Sequence, residues 1–594
     1  MKLSSTRFLR LLAALMALSL IAAACGSDDD TAADGDGVST DTEAPSDDEP
    51  ADEPADEPAD EPADEPADEP ADEPATDGER ISTFLVQPES LTPINNTESE
   101  GQQVIDALFT GLVDVDADNQ LIFQHADSIV TDDNVVFNVT LKDGWTFHDG
   151  TPVTAQSYVD TWNYGAYGPN AQSTSAQYAQ IAGFGDLQCG TAPDDEGNEV
   201  ADCDGAPPAA EALSGLEVVS DTEFTITMAE AVPFLTTQMK ASAFLPLPEA
   251  FFADPAAYDR MPIGNGPFMM AEEWEDDVQI LVDTYPDYQG DDASQISGIE
   301  FRIYADVNTA VTDLVAGNLD IVNGVPPEVW DDTIAQVPNS ALSADSGINY
   351  LGFPDYAPPF NDPNLRAALS MAVNREDITE GIFNGLRAPA QNFFSPVIPG
   401  YEEEVCVEWT FNPEEAQARF AEFGGLDALG DSLDVWFNQG GGHDLWIDAV
   451  ITQWEQNLGI PADNVTFQQL PFAEYLELAD TQQLTGPYRL GWGASYLHPQ
   501  YYMVLALQLT VDEGGNNATF WRNDEVDANI EAALATTTLE ESIPLWQDAM
   551  QIICENAPLA PMFFGQNTYA WNDGVDGVFI DAFGVIDYED LTQG

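Results

Sequence analysis

Basic residues are scarce in this chain of 594 residues. Lys and Arg together number 14, against 107 Asp and Glu, which gives a formal net charge of −93 at pH 7. A charge of this sign repels nucleic acid and anionic surfaces, so we expect no nucleic-acid partner. The acidity has two interpretations, a saline habitat or a cationic cargo. Because the charge is spread over the whole sequence, we favour the habitat.

Signatures of metal sites and of catalysis are also missing. The chain has four histidines and contains neither Cys-x-x-Cys nor His-Glu-x-x-His. It lacks a Gly-x-Ser-x-Gly elbow, a phosphate-binding loop and a Gly-x-Gly-x-x-Gly after a strand. The glycines at 440–442 precede His443 without a lysine and indicate only a turn. We therefore expect no metal, no cofactor and no enzyme, and the abundance of carboxylates cannot by itself support a glycosidase.

The apolar run nearest the N-terminus is too short to span a membrane. Residues 11–24 are 14 in number, follow Lys2, Arg7 and Arg10, and end in three alanines before Cys25, whereas a spanning helix needs roughly 20 residues. This pattern predicts a cleaved export signal over 1–24. The Ala-Ala-Ala-Cys-Gly junction resembles a bacterial lipobox, so we expect Cys25 to carry lipid. The alternative is an ordinary secreted protein with an odd cysteine.

Residues 25–80 are of low complexity and include six copies of Ala-Asp-Glu-Pro between Ala51 and Pro74. Such a segment has nothing with which to form a core, and a proline at every fourth position forbids a regular helix. At roughly 3 Å per residue the segment extends to about 170 Å. We predict a disordered acidic tether. A calcium-binding repeat is disfavoured because glycine turns and fixed ligand spacing are absent.

Residues 81–594 have the composition of a globular protein and exceed the size of one ordinary core. Strand-like segments at 135–139, 224–228 and 301–304 alternate with helix-like segments at 364–383 and 412–423. Asn412 followed by Pro413 and two glutamates is typical of a helix start. The sequence therefore predicts an α/β protein of two or three lobes.

Four cysteines remain once Cys25 is lipidated: Cys189, Cys203, Cys406 and Cys554. An exported location permits disulfides, and three pairings exist. Cys189 and Cys203 flank a short polar stretch, so we predict a local bridge between them and, by elimination, a bridge between Cys406 and Cys554.

A series of local motifs in fixed order spans the globular part. The chain resembles the extracellular solute-binding proteins of family 5, the dipeptide and oligopeptide receptors of ABC importers, in the segments 145–155, 264–268, 285–288, 317–321, 358–362, 365–369, 372–375 and 491–496. The resemblance implies a periplasmic-binding-protein-like (type II) clamp with an extra N-terminal subdomain. It also implies lobe I at about 81–344 and 562–594, the subdomain at about 110–230, and lobe II at about 345–561.

The same resemblance implies a ligand-binding wall around Trp492. Its flanking residues Gly491 and Gly493 expose the backbone, which suits an extended cargo that adds like a strand. Arg489 matches a family arginine, whereas Ser495 stands where the peptide receptors hold the cargo's ammonium group with an acid. This combination suggests cargo that offers an anion or polar groups rather than an obligatory free amine, such as a modified peptide, an opine or a glycoside.

Four further residues are implied at the site by position: His498 in place of a family aspartate, Tyr350, Phe472 and Tyr178. Each has an alternative interpretation. The aromatic residues could simply fill cores, and Arg489 could form a salt bridge within a lobe. We expect Arg366 and Arg375, on an otherwise apolar helix, to pair with carboxylates rather than with ligand.

The function implied by the resemblance is that of a substrate-binding lipoprotein. It would capture peptides or peptide-like solutes between hinged lobes and deliver them to an ABC permease served by separate ATPase subunits. We expect a monomer outside the cytoplasm, anchored to the cell membrane through Cys25. The alternatives are a clamp for a non-peptide solute, a sensor without a transport role and, least favoured, a lipid-anchored glycosidase.

Overall fold

The computed structural model describes residues 80–117, 119–193, 199–290, 294–439, 442–505 and 516–594. The predicted export signal, Cys25 and the acidic tether lie outside the described residues, as do Gly440 and Gly441 of the predicted turn. Within the described part, no helix is long and apolar enough to cross a membrane.

A mixed sheet of eleven strands forms the frame of the molecule. In spatial order its strands are Phe268–Met270, Gln279–Thr284, Gly298–Ile303, Ile81–Leu85, Ile321–Asn323, Leu559–Trp571, Asn339–Gly352, Tyr488–Trp492, Leu433–Asn438 and Val465–Leu470, with Ala388–Pro389 paired to Leu559–Trp571. The strands predicted near 301–304 and the wall strand near Trp492 thus belong to one sheet.

Two long antiparallel strands, Asn339–Gly352 and Leu559–Trp571, join the two halves of this sheet. Their pairing is interrupted between Ala344 and Ile348, where Asp345, Ser346 and Gly347 lie. The predicted lobe boundaries at 344/345 and 561/562 fall within these strands. The positions of the lobe boundaries stay a prediction.

Smaller sheets flank the large one. Four antiparallel strands follow the order Ala126–Val130, Val136–Leu141, Glu223–Thr227 and Leu216–Ser220, and strand pairs are formed by Val113–Val115 with Leu121–Phe123, Gly190–Pro193 with Glu199–Asp202, and Val575–Asp576 with Thr592–Gln593. The strands predicted at 135–139 and 224–228 are confirmed, each shifted by one or two residues.

The described α-helices alternate with the strands along the chain. They are Ser99–Leu108, Ala155–Ala166, Leu235–Gln238, Glu249–Ala253, Pro255–Arg260, Val307–Ala316, Pro327–Ile334, Pro363–Met371, Arg375–Gly381, Pro413–Phe423, Gly425–Leu429, His443–Leu458, Phe472–Asp480, Gln500–Met503, Asp524–Leu534 and Leu539–Asn556.

The predicted helix start at Asn412 is confirmed. The side chain of Asn412 accepts a hydrogen bond from the backbone amide of Glu415 at 3.2 Å, and Pro413 occupies the first turn. The single helix predicted over 364–383 is wrong, because the chain forms Pro363–Met371 and then Arg375–Gly381. Asn374 causes the break by capping the second helix through its side chain.

Both predicted disulfides are confirmed, Cys189 with Cys203 and Cys406 with Cys554. The second bridge joins residues 148 positions apart and ties helix Leu539–Asn556 to the segment that precedes helix Pro413–Phe423. It therefore fixes contacts that the local sequence does not encode.

The two arginines of the broken helix differ in their partners. Arg366 is confirmed as an ion-pair residue, with Nη1 3.1 Å from a carboxylate oxygen of Asp355. The same expectation is wrong for Arg375, whose guanidinium donates to the backbone carbonyls of Pro561, Ser370 and Val373. Burial without an anionic partner among the described residues lowers the pKa of Arg375 to about 9.

Candidate functional site

A cavity of 490 Å³ lies where the two long strands meet the strand Tyr488–Trp492. It is lined by residues within 96–106, 173–180, 234–243, 345–347, 491–501 and 567–584. Segments almost 500 positions apart in the sequence therefore meet around one space, which is large enough for a small solute.

One side of the cavity is the tryptophan wall, residues 491–495. The indole of Trp492 is held by a hydrogen bond from Nε1 to the carbonyl of Tyr501 at 2.8 Å. The hydroxyl groups of Ser495 and Tyr501 lie 3.0 Å apart. Because Gly493 and Ser495 are exposed while Trp492 is only 6% exposed, the wall offers backbone and small polar groups to the cavity.

The wall is fastened to the interrupted strand at Ser346. Its hydroxyl accepts a hydrogen bond from the amide of Ala494 at 3.1 Å and donates one to the carbonyl of Ala494 at 3.2 Å. Ser346 is buried, and its own amide donates to the carbonyl of Ala582 at 3.0 Å. One residue therefore fixes the relation of three lining segments.

Further lining of the cavity is provided by the segments that contain Phe234 and Gln177. The ring of Phe234 stacks on Tyr496, with centroids 5.6 Å apart and the planes inclined by 7°. Gln238 donates through Nε2 to the side-chain oxygen of Gln177 at 3.3 Å. The cavity is therefore lined here by an aromatic pair and by two side-chain amides.

The charges at the cavity are mostly negative. Glu98, Asp106 and Asp345 line it together with a single cation, Lys240. Burial alone would lower the pKa of Lys240, but the carboxylates of Asp106 and Asp114 raise it well above its ordinary value. The ammonium of Lys240 lies 2.9 Å from Asp114 and 3.7 Å from Asp106, so it is already paired.

Burial raises the pKa of the lining carboxylates. That of Glu98 rises to about 7, and those of Asp106 and Asp345 also rise. A raised carboxyl pKa means that the folded protein resists the negative charge until something compensates for it. The cavity is thus an environment that favours positively charged groups.

Four of the sequence-predicted site residues line this cavity: Gly491, Trp492, Gly493 and Ser495. The other five do not line it, and their contacts with ligand stay predictions. Tyr178 is fully buried and donates its hydroxyl to the carbonyl of Ala243, and its ring packs against the backbone of Gly165.

Tyr350 and Phe472 likewise pack away from the cavity. Tyr350 is 1% exposed on the strand Asn339–Gly352, and its ring meets Phe393 edge to face at 5.2 Å. Phe472 begins the helix Phe472–Asp480 and packs, half-buried, on the largest hydrophobic core. For both residues the structure supplies the core role that the sequence left open.

Arg489 is held by amide oxygens instead of a carboxylate. Its Nη1 donates to Oδ1 of Asn438 at 3.0 Å, and its Nε and Nη2 donate to Oδ1 of Asn349. Burial lowers the pKa of Arg489 to about 10. The salt bridge considered for Arg489 is not found among the described residues, and its guanidinium is occupied by neighbouring strands.

His498 is 3% exposed and structural in its contacts. Its Nδ1 accepts the backbone amide of Gln500 at 3.1 Å, and its ring packs against Phe234 and Trp546. Burial lowers the pKa of His498 to about 3, so the ring stays neutral at physiological pH.

Sequence reasoning missed Asp345, Ser346, Lys240 and Phe234, which all line the cavity. For Asp345 and Ser346 a weak signal existed, since Asp-Ser-Gly is unusual inside a strand. Lys240 and Phe234 carry no local signal, because their place depends on packing between distant segments. Among the described residues no cluster of His, Cys, Asp and Glu is arranged to hold a metal ion.

Known proteins resemble the chain over most of its length. It is 24% identical over 484 residues to the periplasmic murein peptide-binding protein MppA of Escherichia coli, covering 80% of this chain and 86% of that protein. It is 24% identical over 517 residues to the oligopeptide-binding protein OppA of Bacillus subtilis, covering 84% and 90%.

Solved structures share its fold. The unliganded open form of the murein tripeptide binding protein MppA superposes with a TM-score of 0.77 at 21% identity, over 86% of this chain and 97% of that one. HbpA2 of Haemophilus parasuis gives a TM-score of 0.73 at 18% identity, over 87% and 99%. The predicted α/β fold of the two-lobe periplasmic-binding-protein type is confirmed.

The family described as bacterial extracellular solute-binding proteins, family 5 Middle, matches residues 121–513. These residues make up more than half of the 594 and include the four-stranded sheet and the tryptophan wall. The chain belongs to the bacterial extracellular solute-binding proteins of family 5.

Proposed function

We propose that this protein captures peptides in the 490 Å³ cavity and delivers them to an ABC importer in the membrane. The observation that carries the proposal is the tryptophan wall, whose exposed backbone and small side chains border a cavity built from distant segments. The relatives named for murein peptides and oligopeptides support a peptide as the cargo.

The wall strand suits an extended cargo. Strand Tyr488–Trp492 is paired along its length with Asn339–Gly352, whereas it pairs with Leu433–Asn438 only between Tyr488 and Trp436. The strands therefore diverge before Gly491. Backbone groups beyond that point are placed to bond a peptide that adds like a strand, and Trp492 gives an apolar surface beside it.

Capture works as a clamp. The lining segment 96–106 follows strand Ile81–Leu85, and the lining segment 491–501 begins at the end of strand Tyr488–Trp492. These two strands lie on opposite sides of the two long strands in the sheet. A peptide that touches both gains contacts only when they approach each other, so it shifts the equilibrium towards a closed form. The interruption at 345–347 is where the backbone would bend. The protein performs no chemistry, and ATP hydrolysis belongs to separate subunits.

The same proposal covers the N-terminus. Export signal cleavage would leave Cys25 to be lipidated, and the acidic segment 25–80 would let a monomeric receptor reach its permease. A tether holds the receptor at a high effective concentration near that partner. No step of this requires a cofactor or a metal.

Native mass spectrometry of the protein purified without refolding tests the cargo. We expect bound species whose masses correspond to peptides, with one per chain. Retained species that are all non-peptide, such as sugars or opines, would contradict the proposal and favour the alternative cargo classes considered from the sequence.

A further inference from the structure

Two of the three carboxylates that line the cavity already have partners. Glu98 accepts hydrogen bonds from the amides of Gly101 and Glu89 and caps the helix Ser99–Leu108. Asp106 is bonded by Gln102 at 2.6 Å and lies beside Lys240. Both carboxylates are therefore already compensated by groups of the protein itself.

Asp345 is different. Its Oδ1 accepts the backbone amide of Gly347 at 2.6 Å, whereas Oδ2 has no hydrogen-bond partner among the described residues. No described cation forms an ion pair with it, and Arg387 influences it only from a distance. Burial raises the pKa of Asp345. Asp345 is partly exposed and lines the cavity, so this oxygen is placed to accept a hydrogen bond from cargo.

The fold keeps room for this carboxylate. A Cβ atom at Gly565, on the partner strand Leu559–Trp571, would lie 2.1 Å from Oδ2 of Asp345. Glycine is therefore needed at 565 for the side chain of Asp345 to hold its position. The neighbouring residue Ser346 binds Ala494, so Asp345 lies directly beside the tryptophan wall.

We propose that Asp345 binds a primary ammonium group of the cargo. This inference rests on the proposed function and deepens it, since it restricts the cargo to amine-bearing peptides. It assigns to Asp345 the anionic role that Ser495 lacks. It differs from the expectation of cargo without an obligatory free amine, which relied on Arg489, a residue whose guanidinium donates to Asn349 and Asn438.

The ammonium group could be the peptide's α-amine or a lysine side chain. Three probes separate these sources: Ala-Ala-Ala, N-acetyl-Ala-Ala-Ala and N-acetyl-Ala-Lys-Ala. Each is titrated calorimetrically into the full chain, freed of cargo by unfolding and refolding with disulfides intact. The proteins are wild type, Asp345→Asn and the matched control Asp448→Asn, whose carboxylate is exposed on helix His443–Leu458.

We expect wild type to bind at least one amine-bearing probe about 10- to 100-fold more tightly than N-acetyl-Ala-Ala-Ala, the range of a charged hydrogen bond. Asp345→Asn should abolish that preference without weakening the amine-free probe, and Asp448→Asn should behave as wild type. The comparison of the three probes on wild type is a test in itself and does not depend on whether the variants fold. We expect the melting temperature of cargo-free Asp345→Asn to stay close to that of wild type, since the asparagine oxygen can still accept the amide of Gly347.

Two negative results are distinguishable. If wild type binds the amine-free probe as tightly as the others, or Asp345→Asn weakens all probes equally, the role of Asp345 is overturned and peptide capture stands. If no peptide binds folded wild type, the proposed function fails and this inference fails with it.

Discussion

The hydroxyl group of Ser346 forms two hydrogen bonds with the backbone of Ala494, accepting from its amide at 3.1 Å and donating to its carbonyl at 3.2 Å. The two residues are 148 positions apart. The bonds join the interruption in the long strand to the tryptophan wall, so any change in one is transmitted to the other.

Replacing Ser346 by alanine should leave a buried amide of Ala494 without its partner. We expect Ser346→Ala to lower the free energy of unfolding by about 1–3 kcal/mol and to weaken cargo binding as the wall loosens. Denaturant unfolding and a peptide titration measure the two effects. Ser128→Ala, at a half-buried serine on strand Ala126–Val130, is the control and should change neither. An unchanged stability for Ser346→Ala would show that the two bonds do not fix the wall.

A methyl group at Gly493 separates binding from folding. An added Cβ there would have only the hydroxyl of Ser346 within 4 Å, at 3.8 Å, so the folded chain accommodates it. We expect Gly493→Ala to keep the wild-type melting temperature and to weaken peptide binding, because the methyl covers backbone that cargo bonds.

The matched control for Gly493→Ala is Gly185→Ala, where an added Cβ meets nothing within 4 Å and the residue is exposed away from the cavity. It should leave both stability and binding unchanged. Equal affinity for Gly493→Ala and wild type would contradict contact between cargo and the wall backbone.

Features encoded by adjacent residues were predictable. The cap at Asn412 follows from a side chain two or three positions from the amide it bonds. The bridge between Cys189 and Cys203 spans 14 positions. Once those two cysteines were paired, Cys554 was the one partner left for Cys406. The glycines flanking Trp492 expose backbone wherever the strand lies, so the wall could be recognised from sequence.

Features that depend on distant strands were not predictable in this way. Arg489 looked available for ligand, but Asn349 and Asn438, which hold it, come from strands before and after it in the sheet. Asp345 gained its role from Gly565, 220 positions away, which only the pairing of the long strands brings close. Neither set of contacts produces a periodic or local pattern in the sequence.

The two disulfides should stabilise the protein to different extents. In the chain-entropy model a loop of about 15 residues contributes about 3 kcal/mol and a loop of about 150 residues about 5 kcal/mol. We expect alanine at both Cys406 and Cys554 to lower the free energy of unfolding more than alanine at both Cys189 and Cys203. Guanidinium unfolding of the two double variants measures these losses. Equal losses in the free energy of unfolding would contradict the larger contribution of the bridge between Cys406 and Cys554.

Two carboxyl groups whose pKa is raised by burial, Glu98 and Asp581, should each contribute stability that is lost as pH rises from about 4 to about 7. Burial raises the pKa of Glu98 from 4.5 to about 7 and that of Asp581 from 3.8 to about 7. A raised carboxyl pKa gives stability that is fully present below the unfolded value and is lost as pH rises through the folded value. Melting temperatures across this range measure the effect.

Mutual repulsion among the many carboxylates acts in the same direction, whereas the four histidines, whose pKa is lowered by burial, act in the opposite direction. A variant must therefore isolate the buried carboxyl group. Asp581→Asn removes a buried carboxyl that is bonded by the amides of Phe583 and Val585. It should flatten the pH dependence, whereas Asp448→Asn at the surface should not. Identical slopes for the two variants would show that Asp581 contributes nothing.

The lipid anchor is tested at Cys25. In cells that express the full chain, labelled fatty acid should enter the wild-type protein and not Cys25→Ala, and the variant should appear in the medium or in the soluble extracytoplasmic fraction. Cys25→Ala leaves the four bridged cysteines intact. Labelling of the variant to the wild-type level would contradict anchoring through this residue.

The central claim is that the cavity beside Trp492 captures a peptide. Calorimetric titration of the refolded, cargo-free protein with individual di- to pentapeptides tests it most directly. We expect saturable binding of one peptide per chain, weakened by Gly493→Ala. Absence of saturable heat with every peptide, from protein that still unfolds cooperatively, would contradict it.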